Sequence, residues 1–126
     1  MAKAILWAFA AAIIIKLFLF DFIIAEGNSM EPAIHNGSVL VINRLQYGFR
    51  LPGLRQGYAA RWSWPKQGEV VVFYTPSGDL AVKRCGQIIE RGSFLAIGDN
   101  SPQSYDSRSY GPVLADNVIG KVLGIK

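Results

Sequence analysis

The chain has little of what metal sites and disulfides are made from. Its 126 residues include one cysteine, Cys85, and one histidine, His35. A lone cysteine forms no intramolecular disulfide, and one cysteine with one histidine falls short of a structural zinc site. A histidine-based catalytic triad would rest on His35 alone. Charge is scarce too, at 17% of residues against 51% hydrophobic, which excludes a disordered, strongly solvated chain. There is no internal repeat or low-complexity tract. No helix-turn-helix, RNA-binding or zinc-finger signature accompanies the net charge of +4, so no nucleic-acid partner is expected. Neither a metal nor another cofactor is expected.

Much of the apolar excess lies in residues 4–25, AILWAFAAAIIIKLFLFDFIIA. As a helix this stretch reaches the roughly 20 residues needed to cross a bilayer. Asp21 lies near enough to its end to reach the interface. Lys16 lies deeper, and either snorkels or faces a partner subunit. The run Ala4–Ile15 has the length of a signal-peptide core, but no small-x-small cleavage site follows at a workable distance. Residues 1–25 therefore read as a retained membrane-anchor helix. Lys3 precedes it and Asp21 and Glu26 follow, so the N-terminus is expected inside and the domain outside.

Residues 26–126 read as one domain of short apolar runs broken by Gly, Pro, Asn and Asp. Ser38–Asn43, Glu69–Tyr74, Leu80–Cys85, Phe94–Ile97 and Val118–Ile125 have strand character. Short strands without helices predict a mainly β fold, a small antiparallel sandwich or barrel-like domain. Residues 45–67 break the pattern as an irregular excursion. From Arg44 onward, Arg44, Arg50, Arg55, Arg61 and Lys66 mix with Tyr47, Phe49, Tyr58, Trp62 and Trp64. That mixture suits a lipid headgroup layer, or equally a solvated loop with packed aromatics.

Three segments carry chemistry. Ser29 lies in Gly27-Asn28-Ser29-Met30-Glu31-Pro32, a turn that can expose a hydroxyl together with free backbone N–H groups. A serine there is inert unless a base activates it. Lys83 shares a strand face with Ala81 and Cys85. In an apolar setting its amine would lose solvation and become neutral near pH 7, as a general base must be. An exposed strand lysine is the plainer alternative. The run from Gly98 to Gly111 is rich in hydroxyls and carries Asp99, Asp106 and Arg108, a composition that makes a loop bind itself rigid.

In this order and wording the segments resemble the type I signal peptidases. The family has G-x-S-M-x-P after a membrane anchor, here Gly27–Pro32. It has G-D/E-V-V-V-F, here Gly68–Phe73, and V-K-R, here Val82–Arg84. It ends with G-D-N and S-x-D-S-R-x-x-G, here Gly98–Asn100 and Ser104–Gly111. Tyr47–Pro52 is similar to the segment after its second strand. The likeness covers most of the chain beyond residue 25, and four motifs in order are far more specific than any one.

The resemblance implies that Ser29 attacks the scissile carbonyl and Lys83 takes its proton. Ser104 would orient the lysine amine by a hydrogen bond. Asp106 and Arg108, with Arg84, would form ion-pair support, and the Ser29 backbone N–H would bind the oxyanion. Met30 and Pro32 would border the substrate pocket. The implied partners are signal peptides of exported preproteins, cut after small-x-small (Ala-x-Ala-like) sites through an acyl-enzyme, and the lipid bilayer. The implied location is a bacterial inner membrane with the domain on the periplasmic face, ahead of a mitochondrial inner membrane.

Three departures stand out. Gly27 replaces a serine that supplies a second oxyanion donor in some members. The segment after Lys83 and Arg84 lacks the family's G-x-P-G-D turn. There is no room for the second domain of larger members. Rival readings are a specialised maturase of a conjugation pilin or of a few mitochondrial precursors, and an inactive, membrane-tethered peptide-binding module.

Overall fold

The computed structural model describes residues 1–15, 19–50, 58–90 and 92–125. A helix, α1 (Ala2–Ile14), precedes strands β1 (Phe20–Ile24) and β2 (Val39–Asn43). Next come β3 (Gly48–Phe49), β4 (Ala60–Arg61), β5 (Val70–Tyr74), β6 (Leu80–Glu90) and β7 (Ser93–Ile97). A single helical turn, α2 (Ser107–Tyr110), leads to β8 (Val113–Leu114) and β9 (Val118–Ile125).

Seven strands form one sheet in the order β1-β2-β9-β5-β6-β7-β8, with every pairing antiparallel. The fold is thus mainly β, as the spacing of apolar runs predicts. Register shifts at Val41/Ile42, Val72/Phe73 and Cys85/Ile88 mark bulges, which bend the strands that carry them. Central β5, Val-Val-Val-Phe-Tyr, has no polar alternation because both of its faces are covered. Val71 and Phe73 enter one core with Tyr47, Cys85, Phe94 and Val118. Val72 enters a second with Met30, Ile34, Leu40 and Ile42.

The sequence-based helix over residues 4–25 is corrected here. Phe20–Ile24 is an edge strand, paired from Phe20↔Asn43 to Ile24↔Val39. Its aromatic and β-branched residues suit a strand, and β2 would otherwise present an unpaired edge. Asp21, expected at a membrane interface, instead pairs with Arg44 at 3.5 Å. The 13 residues of α1 span about 20 Å at 1.5 Å per residue, against a hydrocarbon layer of about 30 Å. Among the described residues no helix is long and apolar enough to cross a membrane. Lys16 lies outside the described residues, as do Arg55, Leu51 and Pro52.

The described part of the 45–67 excursion contains the β3–β4 ribbon. Arg61 lies over the rings of Tyr58 and Trp64, 4.2 and 4.1 Å from their centroids, and pairs with Asp116 at 2.6 Å. These rings pack against guanidinium groups of their own chain, while Trp62 stays exposed.

Candidate active site

Ser29 sits on the excursion between β1 and β2. Ala25 N–H donates to the Ser38 carbonyl and Gly37 N–H to the Ala25 carbonyl, both at 2.8 Å, which closes the base of the loop. Gly27 N–H donates to Asn36 Oδ1 at 2.9 Å. Gly27 itself is at φ +85°, in the left-handed region that side chains disfavour. A serine hydroxyl could enter at that position only with backbone strain.

Lys83 lies in β6 opposite Val71 of β5 and is 7% exposed. Its Nζ donates to Ser29 Oγ at 2.7 Å, so the two residues expected to act together are in direct contact. Burial pulls the Lys83 pKa below its ordinary 10.5; Asp106 opposes this and Arg108 reinforces it. The exposed-lysine alternative does not hold.

Asp106 is fully buried and organises the loop behind the pair. It accepts from Gly98 N–H and Ser104 Oγ, each at 2.8 Å. It also caps α2 by accepting from Arg108 N–H at 3.0 Å. Two contacts from the Arg108 side chain follow, Nε at 3.0 Å and Nη2 at 2.5 Å. Burial by itself would raise this carboxyl; the Arg108, Gly98 and Ser104 donors outweigh it and hold it well below the usual carboxylate range. Ser107 Oγ accepts from Ala96 N–H at 2.8 Å and ties the loop to β7.

Two supporting contacts differ from the sequence reading. The Ser104 hydroxyl donates to Asp106 rather than bonding the Lys83 amine. That carboxylate, held by Arg108 and Gly98, is the stronger acceptor within reach. Arg84 also stands apart from the Asp106 pair. Alternation turns it away from Lys83, and it grips Asp99 with Nε at 2.8 Å and Nη2 at 2.7 Å. Support is therefore two separate ion pairs, one under each end of the loop.

The Gly98–Asn100 segment reaches back to the serine loop. Asp99 N–H donates to Met30 Sδ at 3.4 Å and Asn100 N–H to the Ser29 carbonyl at 2.8 Å. Asn100 Nδ2 donates to the Asn28 carbonyl at 3.0 Å. A Cβ on Gly98 would overlap the Ser104 hydroxyl and stand 2.8 Å from the Ser29 carbonyl oxygen. Only glycine allows these segments to meet. Sequence reading counted Asp99 among the charges that stiffen the loop but gave Asn100 no role; its one signal is membership of Gly98-Asp99-Asn100.

A cleft of 360 Å³ opens beside the pair. Ile23 and Ala25, at and beyond the end of β1, form one wall, Met30 and Ile34 the floor, and Ala81 and Val82 the other wall. Met30 borders the cleft as expected and is buried. Pro32 is exposed and outside the lining, because the turn at residues 28–31 carries it away from β6. The pairing of β7 with β6 starts at Arg84↔Ile97. Among the described residues, the cleft-side edge of Leu80–Lys83 thus has no strand partner. No three His, Cys, Asp or Glu side chains among the described residues are grouped to hold a metal ion.

Known proteins share this sequence pattern. The family described as signal peptidase, peptidase S26, matches residues 1–86 and 79–125. Signal peptidase I of Bacillus caldolyticus is 24% identical over 155 residues, spanning 92% of this chain and 85% of that protein. Signal peptidase I of Bacillus amyloliquefaciens is 45% identical over 42 residues, 33% of this chain and 22% of that protein. With both parts of the chain matched, the protein belongs to the signal peptidase family, peptidase S26.

Proposed function

We propose that the protein is a serine endopeptidase that removes signal peptides from exported preproteins, using Ser29 as nucleophile and Lys83 as general base. The observation that carries this is a buried lysine amine 2.7 Å from a serine hydroxyl at the edge of a cleft. Neutral Lys83 takes the Oγ proton as Oγ bonds the scissile carbonyl carbon. The resulting oxyanion accepts from the Ser29 N–H. Collapse breaks the C–N bond, and the Lys83 ammonium returns the proton to the departing amine of the mature protein. Lys83 then deprotonates a water that hydrolyses the Ser29 ester and frees the signal peptide.

The substrate enters as an extended strand along the free edge of Leu80–Lys83. Alternate side chains of a strand face one way, so two residues spaced by two point into the cleft together. Its 360 Å³, walled by Ile23, Ala25, Met30, Ile34, Ala81 and Val82, suits small side chains at both positions, hence small-x-small. Asp106 with Arg108 and Arg84 with Asp99 hold the machinery in place, and Ser104 acts through Asp106.

The domain works at a bacterial inner membrane, on the periplasmic face. Supporting this are the apolar exposed faces of α1 and of β1, where Phe22 and Ile24 are 66% and 65% exposed. The test is incubation with a purified preprotein in detergent micelles, the product identified by its new N-terminus. Cleavage after a small-x-small site supports the reading; an intact preprotein counts against it.

A further inference from the structure

The Ser29 N–H belongs to the peptide unit it shares with Asn28, and that unit is held from the opposite side. The chain's one cis bond among the described residues is Glu31–Pro32, so Asn28–Ser29 is trans. In a trans peptide the C=O and N–H point in opposite directions. The Asn28 carbonyl accepts from Glu31 N–H at 3.2 Å within the turn and from Asn100 Nδ2 at 3.0 Å across it. Both acceptor positions of that oxygen are used. The Ser29 N–H, fixed by the same plane, points away from the Gly98–Asn100 loop and donates to nothing among the described residues.

Building on the signal peptidase reading, we propose that the Asn100 side chain is a positioning residue that aims and polarises the Ser29 N–H for the oxyanion. A rigid plane gripped at its oxygen cannot rotate its N–H away from the reacting carbonyl. A hydrogen bond to the carbonyl also draws charge through the amide and strengthens its donor end. Two features of Asn100 separate this role from general support of the loop. Its backbone N–H bonds the Ser29 carbonyl at 2.8 Å whatever side chain is present. Its side chain alone reaches the Asn28 carbonyl, and of the two ends of that amide only the nitrogen can donate to a carbonyl oxygen.

Asn100→Ala keeps the backbone clamp and removes the side-chain donor. Asn100→Asp keeps the shape but sets an acceptor against an acceptor. Both variants are compared with wild type on a small-x-small peptide. The expected result is a fall in kcat of about tenfold to a hundredfold with KM changed by less than about twofold, below the full cost of deleting an oxyanion donor.

A peptide aldehyde of the same sequence adds a second readout. Ser29 Oγ bonds the aldehyde carbon, its proton passes to Lys83, and the carbonyl oxygen becomes the oxyanion. Aldehyde affinity should weaken by the factor lost from kcat/KM, while an uncleavable reduced-amide peptide binds as before. The acid limb of the pH profile should stay in place because Lys83 keeps its surroundings. An unchanged kcat in either folded variant, or equal weakening of aldehyde and reduced amide, overturns the proposal. A wild-type enzyme that cuts no such peptide overturns the reading beneath it, and this inference with it.

Discussion

Lys83 Nζ donates to Ser29 Oγ at 2.7 Å, joining two residues 54 positions apart in the chain. Strand register brings them together: pairing with β5 fixes β6 and sets Lys83 opposite Val71. Closure of the 25–38 loop by Ala25 and Gly37 delivers the serine. Within this arrangement burial lowers the Lys83 pKa, and the Asp106 carboxylate, which would favour the ammonium, is engaged by Arg108.

The pH dependence follows from that balance. In the proposed mechanism the neutral amine is the active form, so kcat/KM should rise with pH through a midpoint below 10.5, the lysine's ordinary value. In Arg108→Ala a nearby positive charge is lost and Asp106 is left unscreened. Both changes favour the ammonium, so the rising limb should move to higher pH. A pH–rate profile of each enzyme checks this, and a limb that stays put would contradict the electrostatic role of Arg108.

Stability should rise with pH over the same interval, and removing Lys83 should raise it while abolishing activity. The folded pKa of Lys83 lies below its unfolded value, so between the two the unfolded chain binds more protons and stability rises with pH. The burial penalty is complete below the folded pKa. Lys83→Met removes it, and the variant should be more stable at neutral pH by on the order of 1 kcal/mol. The advantage should shrink as pH rises toward 10.5. Urea unfolding at two pH values measures both effects.

Gly98→Ala tests the meeting point of the two loops. The added methyl would press the Ser104 hydroxyl and the Ser29 carbonyl. Overpacking of this kind costs about 1–3 kcal/mol, and displacing a nucleophile by about 1 Å can cost a hundredfold in rate. A melting curve and a cleavage assay on the same preparation separate the losses. Wild-type kcat in this variant would mean that the contact is slack.

Arg84→Lys keeps the charge but not the two-pronged grip on Asp99. The pair is partly solvated, with side chains 38% and 20% exposed, so stability should fall by no more than about 1 kcal/mol. Activity should fall further, about tenfold, because Asp99 and Asn100 hold the serine loop through Met30 and Ser29 and small misplacements are magnified in rate. Equal, small losses in both would reduce Arg84 to a surface contact.

Much of this is legible in the amino-acid sequence alone. The β-branched run Val70–Val72 and the alternation through Leu80–Cys85 announced strands, because those patterns are local. The Phe20–Ile24 segment was not legible. An apolar run continuous with α1 has the same hydropathy as helix or strand, and the deciding factor is the edge of β2, distant in sequence. The serine and lysine could be nominated from their motifs, but the burial of Lys83 depends on how the 25–38 loop folds over β6. Likewise, the hydroxyls of the Ser104–Ser109 run foretold a self-bonded loop without saying that Ser104 would choose Asp106. The role of Asn100 is not legible because its partners are backbone carbonyls, which leave no trace in the sequence.

The most direct test of the proposed chemistry is cleavage of one preprotein by wild type, Ser29→Ala and Lys83→Met under single-turnover conditions. The account predicts a new N-terminus after a small-x-small site with wild type, and no product with either variant although both melt cooperatively. Full activity in Lys83→Met would show that another group takes the Ser29 proton and would contradict the account at its centre.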